Sequence, residues 1–402
     1  MQRFSKLSIC YVTQEYPPDT GWGGIGTYVK EIAHGLARCE HKVVVVTRAL
    51  VSERVDDEDG VLVYRILPRL SLNRLHVLWR LNRMWDGHRL GVAMAIHMVR
   101  ERHGCDIVEV PSIHAEALLW QETHGSPAVV VRIHSCVPNE FAATGVEGVG
   151  RSGWETWCER RAVKLAQGVS APSHTAVRDN VSHLGVQAAS VVVFPNPIDS
   201  RLFTPGGTSA KSPAIVLFVG RLTEAKGAHV FAKALPLVWD RHPETRALFV
   251  GADGAANGGG SMRQWILDSL RPTQRSRVQF LGHVQRRDLP SLYQQSSFVV
   301  VPSLYEVFGY VCLEAMACSL PVVASRSGGP EEIIEDGKTG FLVPPGDEVA
   351  LALRINHLLA DEALRYSLGK AARSEVERRF DRSVAVEGAL AFYQAVLKRP
   401  SR

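Results

Sequence analysis

The chain of 402 residues lacks long apolar runs. No stretch approaches the ~20 apolar residues of a membrane-spanning helix, so a spanning protein is not expected. Cysteine is scarce and unpaired. The seven residues (Cys10, Cys39, Cys105, Cys136, Cys158, Cys312, Cys318) include no C-x-x-C pair. That excludes the usual spacing of a zinc or thiol–disulfide motif. Most flank apolar runs and read as buried free thiols, which fits a reducing cytoplasm. The first ten residues enter a strand quickly and have no signal-peptide profile. Low-complexity tracts and short-period repeats are also missing. Charge of one sign is nearly absent as a signal: 46 basic against 41 acidic residues leave a net +5. This mild excess is compatible with anionic ligands or a lipid surface and gives no reason to expect nucleic acid.

What is present is ordinary globular composition, 46% hydrophobic and 22% charged, in a chain long enough for two domains. Short β-branched runs alternate with helical stretches. Strands are expected at 7–13, 41–47, 61–66, 106–110, 128–134, 168–172 and 191–199, with a helix from Ile25 to Cys39. The alternation implies a parallel sheet covered on both faces. Leu202 to Pro213 is rich in Gly, Pro and Ser, so the interdomain linker is placed there. The pattern then repeats, with strands at 215–220, 246–251, 278–282, 298–301 and 321–324. The expectation is α/β architecture with two Rossmann-like domains facing a cleft: 1–205, 206–380, and a tail 381–402. The closing helix, 384–398, has Val, Leu, Phe and Tyr on a helical period.

Four linked stretches stand out in the second half. Phe298-Val-Val-Val-Pro-Ser-Leu-Tyr-Glu306 is followed by Val307-Phe308-Gly309-Tyr310-Val311 and then Glu314. Strand ends are where open α/β sheets bind ligands. The Phe-Gly-Tyr stretch would turn backbone N–H groups toward an anion at the opening of a helix. Eight helical residues rise about 12 Å, so Glu306 and Glu314 would serve different ends of an elongated ligand. Alone, a glutamate pair at this spacing is also what two solvated helix residues give. Upstream, a buried strand ends in Gly220-Arg221, with Lys226-Gly227 five residues on; downstream come Gly328-Gly329-Pro330-Glu331 and Asp336-Gly-Lys-Thr-Gly340.

Together and in this order, these stretches resemble the donor half of the GT-B glycosyltransferases of family 4, the retaining nucleotide-sugar enzymes. The resemblance covers nearly the whole chain and is strongest from Ser190 to Pro345. It implies Arg221 and Lys226 on the donor diphosphate, where cations stabilise charge on the leaving group. It implies Glu314 on the ribose hydroxyls and Glu306 on a hydroxyl of the donor sugar. Backbone near Gly220, Phe308, Gly309, Tyr310 and Val311 would meet phosphate or sugar, and the base would sit near Val284. In the first half it implies that Gly23 and Gly24, in Thr20-Gly-Trp-Gly-Gly-Ile-Gly26-Thr-Tyr28, face the diphosphate and acceptor. That loop is read as a close-approach turn rather than a dinucleotide fingerprint. His134, at the end of a buried strand, would orient a sugar hydroxyl. No metal or other cofactor is required by this reading, and the terminal helix is expected to cross back onto the first domain.

From Arg65 to Arg102, eight arginines stand against Asp86 and Glu101, with Trp79 and Trp85 among leucines. This suits either an anionic membrane surface or a lipid-linked acceptor, or a solvated helix face with core tryptophans. The expected partners are a nucleotide-sugar donor and a carbohydrate or lipid-linked acceptor, in the cytoplasm, with peripheral contact at the inner membrane face. Departures from the family are Val307 after the first glutamate, the run Cys318-Ser319-Leu320 where glycine often precedes the strand at Pro321 (both read as packing positions), and a long glycine-rich loop 251–262 expected to be mobile. Open alternatives are a two-domain sugar-nucleotide epimerase, a phosphorylase-like enzyme and a non-catalytic sugar-nucleotide-binding subunit.

Overall fold

A computed structural model describes residues 5–21, 23–67, 83–134, 153–207 and 213–399. These residues form two compact units: one runs to Pro197 and resumes at Arg382, the other is Ile198–Asp381.

The first unit has strands β1 (Ser8–Thr13), β2 (Lys42–Arg48), β3 (Arg54–Glu58), β4 (Val61–Ile66), β5 (Ile107–Pro111), β6 (Ala128–Arg132), β7 (Gly168–Ala171) and β8 (Val191–Val193). They form one sheet in the order β3-β4-β2-β1-β5-β6-β7-β8. All pairings are parallel except β3 with β4. β3 is a charged edge strand, Arg-Val-Asp-Asp-Glu, and was not expected as a strand. Polar residues blunt an exposed sheet edge in this way.

The second unit has β9 (Ile215–Val219), β10 (Arg246–Val250), β11 (Val278–Gly282), β12 (Phe298–Val301), β13 (Val322–Ser325) and β14 (Gly340–Val343). Their order is β11-β10-β9-β12-β13-β14, and every pairing is parallel. Alternate residues of β9 feed opposite cores: Val216 and Phe218 join one cluster, Leu217 the other. This is the period-two signature of a sheet buried on both faces.

The chain passes between units at Pro197–Ile198, not within 202–213. The reason is Phe203, a fully buried core residue of the second unit that packs edge-on against Tyr293. The helix Arg382–Leu397 belongs to the first unit. Its Val386, Leu390, Phe392, Tyr393 and Val396 share a core with β1 and the helix Gly24–Arg38.

Residues 68–82 of the basic stretch, with Arg69, Arg74, Arg80 and Trp79, lie outside the described residues, as do the side chains of Arg83 and Trp85. Two of its arginines are not surface charges. Arg65 is fully buried and donates to Asp56 and Glu58, each at 2.9 Å. Arg89 is buried with Nη2 on the His114 carbonyl at 2.8 Å. Among the described residues no helix is long and apolar enough to cross a membrane, and the described cysteines are free thiols, with Cys39 and Cys105 only half-buried.

Candidate active site

The second sheet reverses its winding between β9 and β12, and the carboxyl ends flanking such a switch point form a crevice for ligands. The loop after β9 contains Arg221 and Lys226; the loop after β12 contains Glu306. Gly227 (φ +71°) lies so close to the second loop that a Cβ would stand 1.8 Å from the Pro302 oxygen. Only glycine lets the two loops touch there. The Leu304 N–H also donates to the Ala225 carbonyl at 2.9 Å. With the loops clamped, Lys226 Nζ donates to Glu306 Oε2 at 2.7 Å. The lysine side chain is 35% exposed and the glutamate 20%, so both remain open to a ligand. Arg221 is exposed and its guanidinium has no polar partner among the described residues.

Glu306 is fixed through its backbone. Its N–H donates to the Ser327 carbonyl (3.0 Å) and its carbonyl accepts from the Gly329 N–H (2.7 Å). A Cβ on Gly329 would meet the Phe308 oxygen at 2.3 Å and its Cα at 2.4 Å. Glu306 thus precedes the helix Tyr310–Ala317 rather than lying in it. Gly309 (φ +104°) caps that helix, so the first-turn N–H groups emerge beside Glu306. Phe308 is buried and its ring packs edge-on against Tyr310 and Phe380. Tyr310 and Val311 are half-buried.

Glu314 is not an open carboxylate. It is buried; Oε1 accepts from Arg286 Nε at 3.2 Å and Oε2 from Tyr293 OH at 2.9 Å. Both carboxylate oxygens are thus anchored from within the second unit. Arg286 and Tyr293 were not legible as site residues. Half-buried Val284 lies after β11, two residues before Arg286, and packs on the same core. Gly220 follows β9 directly and donates its N–H to the Val250 carbonyl at 2.8 Å. The loop 251–262 is braced, contrary to expectation. Asp253 accepts from Ser261 Oγ (2.6 Å) and the Arg263 N–H (2.9 Å), and the Asn257 N–H reaches Glu224 (3.1 Å).

The first sheet has its own switch point, between β1 and β5. Gly23 and Gly24 open the helix Gly24–Arg38 after β1, Gly23 as its cap. Gly21, Gly23 and Gly26 do fall at the spacing of a dinucleotide fingerprint. Gly26 has that motif's close helix–strand packing, since its Cβ would stand 3.0 Å from the Glu15 carbonyl oxygen. His134 follows β6. Its ring lies 5.0 Å from that of Tyr28, two residues after Gly26. Burial, helped by nearby Arg132, holds the His134 pKa well below the ordinary histidine range. The imidazole is neutral near pH 7, able to hydrogen-bond but not poised as an acid.

Two doubly wound sheets, with cations and carboxylates at the second switch point, define a class: GT-B enzymes acting on phosphorylated donors. A family model described as "Glycosyl transferases group 1" matches residues 203–375, and "Glycosyltransferase Family 4" matches 22–202. A D-inositol 3-phosphate glycosyltransferase of Corynebacterium jeikeium is 30% identical, over 94% of this chain and 93% of its own. A glycogen synthase of Mycobacterium tuberculosis is 28% identical over 93% and 91%. The solved sucrose-phosphate synthase of Thermosynechococcus elongatus superposes with a TM-score of 0.79 at 23% identity, covering 97% of this chain and 99% of that one. The chain belongs to glycosyltransferase family 4 and has the GT-B fold.

Proposed function

We propose that the protein is a retaining glycosyltransferase that moves a hexose from a nucleoside diphosphate sugar to a carbohydrate or lipid-linked acceptor, in polysaccharide or glycolipid synthesis. The observation that supports this most directly is the half-open Lys226–Glu306 pair at the β9/β12 switch point, beside exposed Arg221. On binding, the diphosphate takes Lys226 and Arg221, and Glu306 takes a hydroxyl of the sugar. Charge then builds on the leaving phosphate against fixed cations, with no metal needed. Glu314, oriented by Arg286 and Tyr293, accepts from the ribose hydroxyls. In the transfer, the C1–phosphate oxygen bond breaks as the C1–acceptor oxygen bond forms on the same face. The acceptor proton passes to the departing phosphate oxygen. His134, neutral, orients a sugar hydroxyl.

A thermal-shift panel of UDP-, GDP-, ADP- and dTDP-glucose tests the donor class, because a ligand bound by the native state raises its melting temperature. Glu306→Ala is expected to lose most of the shift and the turnover. No shift with any of the four sets the reading aside, and an inverted anomeric centre in the product sets retention aside. We propose peripheral contact with anionic membranes through 65–102; unchanged vesicle binding after Arg74, Arg80 and Arg83 become Ala removes that contact.

A further inference from the structure

Glu109 is the one charged residue of β5, whose five residues are all buried. A carboxylate in such a place needs hydrogen-bond partners. It has two tyrosines. Tyr28 OH donates to Oε1 at 2.7 Å, and Tyr393 OH donates to Oε2 at 2.8 Å. Tyr11 OH lies 2.7 Å from Tyr393 OH and can donate to it, which extends the chain of bonds to β1. Burial raises the carboxyl pKa, and the Arg132 charge with the two phenols opposes that rise. Arg132 stands 4.3 Å from the centre of the Tyr28 ring, itself held by the Phe194 carbonyl (2.9 Å) and Asn196 (2.8 Å). Tyr28 is thus fixed at its hydroxyl by Glu109 and over its ring by Arg132. The same ring touches the His134 imidazole, 5.0 Å between centroids and 59° between planes.

We propose that Glu109, Tyr28 and Tyr393 are positioning residues: a buried hydrogen-bond chain that sets the orientation of the His134 ring and makes the helix Arg382–Leu397 part of the support of the reaction centre. This rests on the reading of His134 above. None of the three needs to touch substrate. A buried carboxylate held at both oxygens by phenols is a stiff element, because releasing either bond leaves a buried charge unsatisfied, and Tyr11 donating to Tyr393 polarises one of the two further. A stiff support matters for a group that must hold a hydroxyl in line, because small misplacements lower the rate rather than the binding.

A double-mutant cycle on kcat, with the sugar nucleotide that gives the largest shift in the panel, tests the idea. Tyr28→Phe and Tyr393→Phe keep ring volume and lose only the hydroxyl. Each is expected to lower kcat by about tenfold, leave the donor KM within about twofold, and lose its effect once His134 is Ala. Equal fold-losses in both backgrounds, or no loss, overturn the proposal while leaving the role of His134 standing. A His134→Ala enzyme with the parental rate overturns both. An activity-independent readout is the His134 ring signal in histidine-labelled protein, identified by its loss in His134→Ala. It is expected to shift in Tyr393→Phe, which reaches the imidazole through Glu109 and Tyr28; an unmoved signal overturns the proposal.

Discussion

Replacing Lys226 by alanine separates a reactive cation from a structural one. The Lys226–Glu306 pair is a partly exposed ion pair, and such pairs contribute about 0–1 kcal/mol to folding after screening. At roughly 2–4 °C per kcal/mol for a unit of 150–250 residues, the melting temperature should fall by no more than about 4 °C. The effect on rate should be far larger. One fixed donor lost from a developing charge costs about 2.7–4 kcal/mol, a factor of about 10²–10³. Glu306 also loses its cation, which adds to any loss in donor affinity. The measurement is nucleoside diphosphate release at saturating donor, with calorimetry on the same preparation. Lys226→Arg keeps the charge but replaces a point by a planar fork, so partial recovery is expected. A Lys226→Ala enzyme that melts normally and turns over within about threefold of the parent refutes the reasoning.

Gly329→Ala should lower stability by about 1–3 kcal/mol in urea unfolding, because the new Cβ meets backbone of Phe308 that cannot rotate away. Donor binding should fall with it, since Gly329 holds Glu306. Ser319→Gly should raise stability by up to about 1 kcal/mol by calorimetry: Ser319 sits at φ +57°, and a left-handed non-glycine residue costs roughly 1–2 kcal/mol, offset in part by the entropy of glycine. His134 binds a proton less readily folded than unfolded. The unfolded chain therefore takes up the proton first as pH falls below about 6.5, and stability drops there. His134→Asn should flatten the slope of stability against pH below that point, and an unchanged slope places the proton uptake elsewhere.

Five of the six strands of the second unit were readable because each apolar run stops at glycine, proline or a charge, and the candidate site residues follow β9 and β12 at once; β14 was not expected as a strand. What the sequence hid were partners brought in by tertiary packing. Arg286 and Tyr293 reach Glu314 from 28 and 21 positions away, with no local pattern to mark them. Glu109 was read as part of an apolar strand, although a lone charge inside Ile-Val-Glu-Val was a signal that a buried partner must exist. β3 was missed because its residues are polar and its pairing is set by β4, not by its own periodicity. Ser319, within the run Cys318-Ser319-Leu320, was taken with its neighbours as packing. It is a backbone position: the left-handed turn is kept, and its carbonyl lies 2.0 Å from where a Cβ on Gly369 would be.

The terminal helix has a temporal consequence. Its Phe392 and Val396 lie against Gly168, where a Cβ would stand within 3.0 Å of them, and Tyr393 completes the bonds of Glu109. On a ribosome, Ile198–Asp381 can finish its own core as soon as it emerges. The first unit, although translated earlier, waits for its last helix until about 200 further residues have been made, roughly 10–40 s at 5–20 residues per second. During that interval the apolar surface of β1 and of the helix Gly24–Arg38 that the last helix covers is exposed, and nascent chains stalled before that helix should recruit chaperones that the released protein does not.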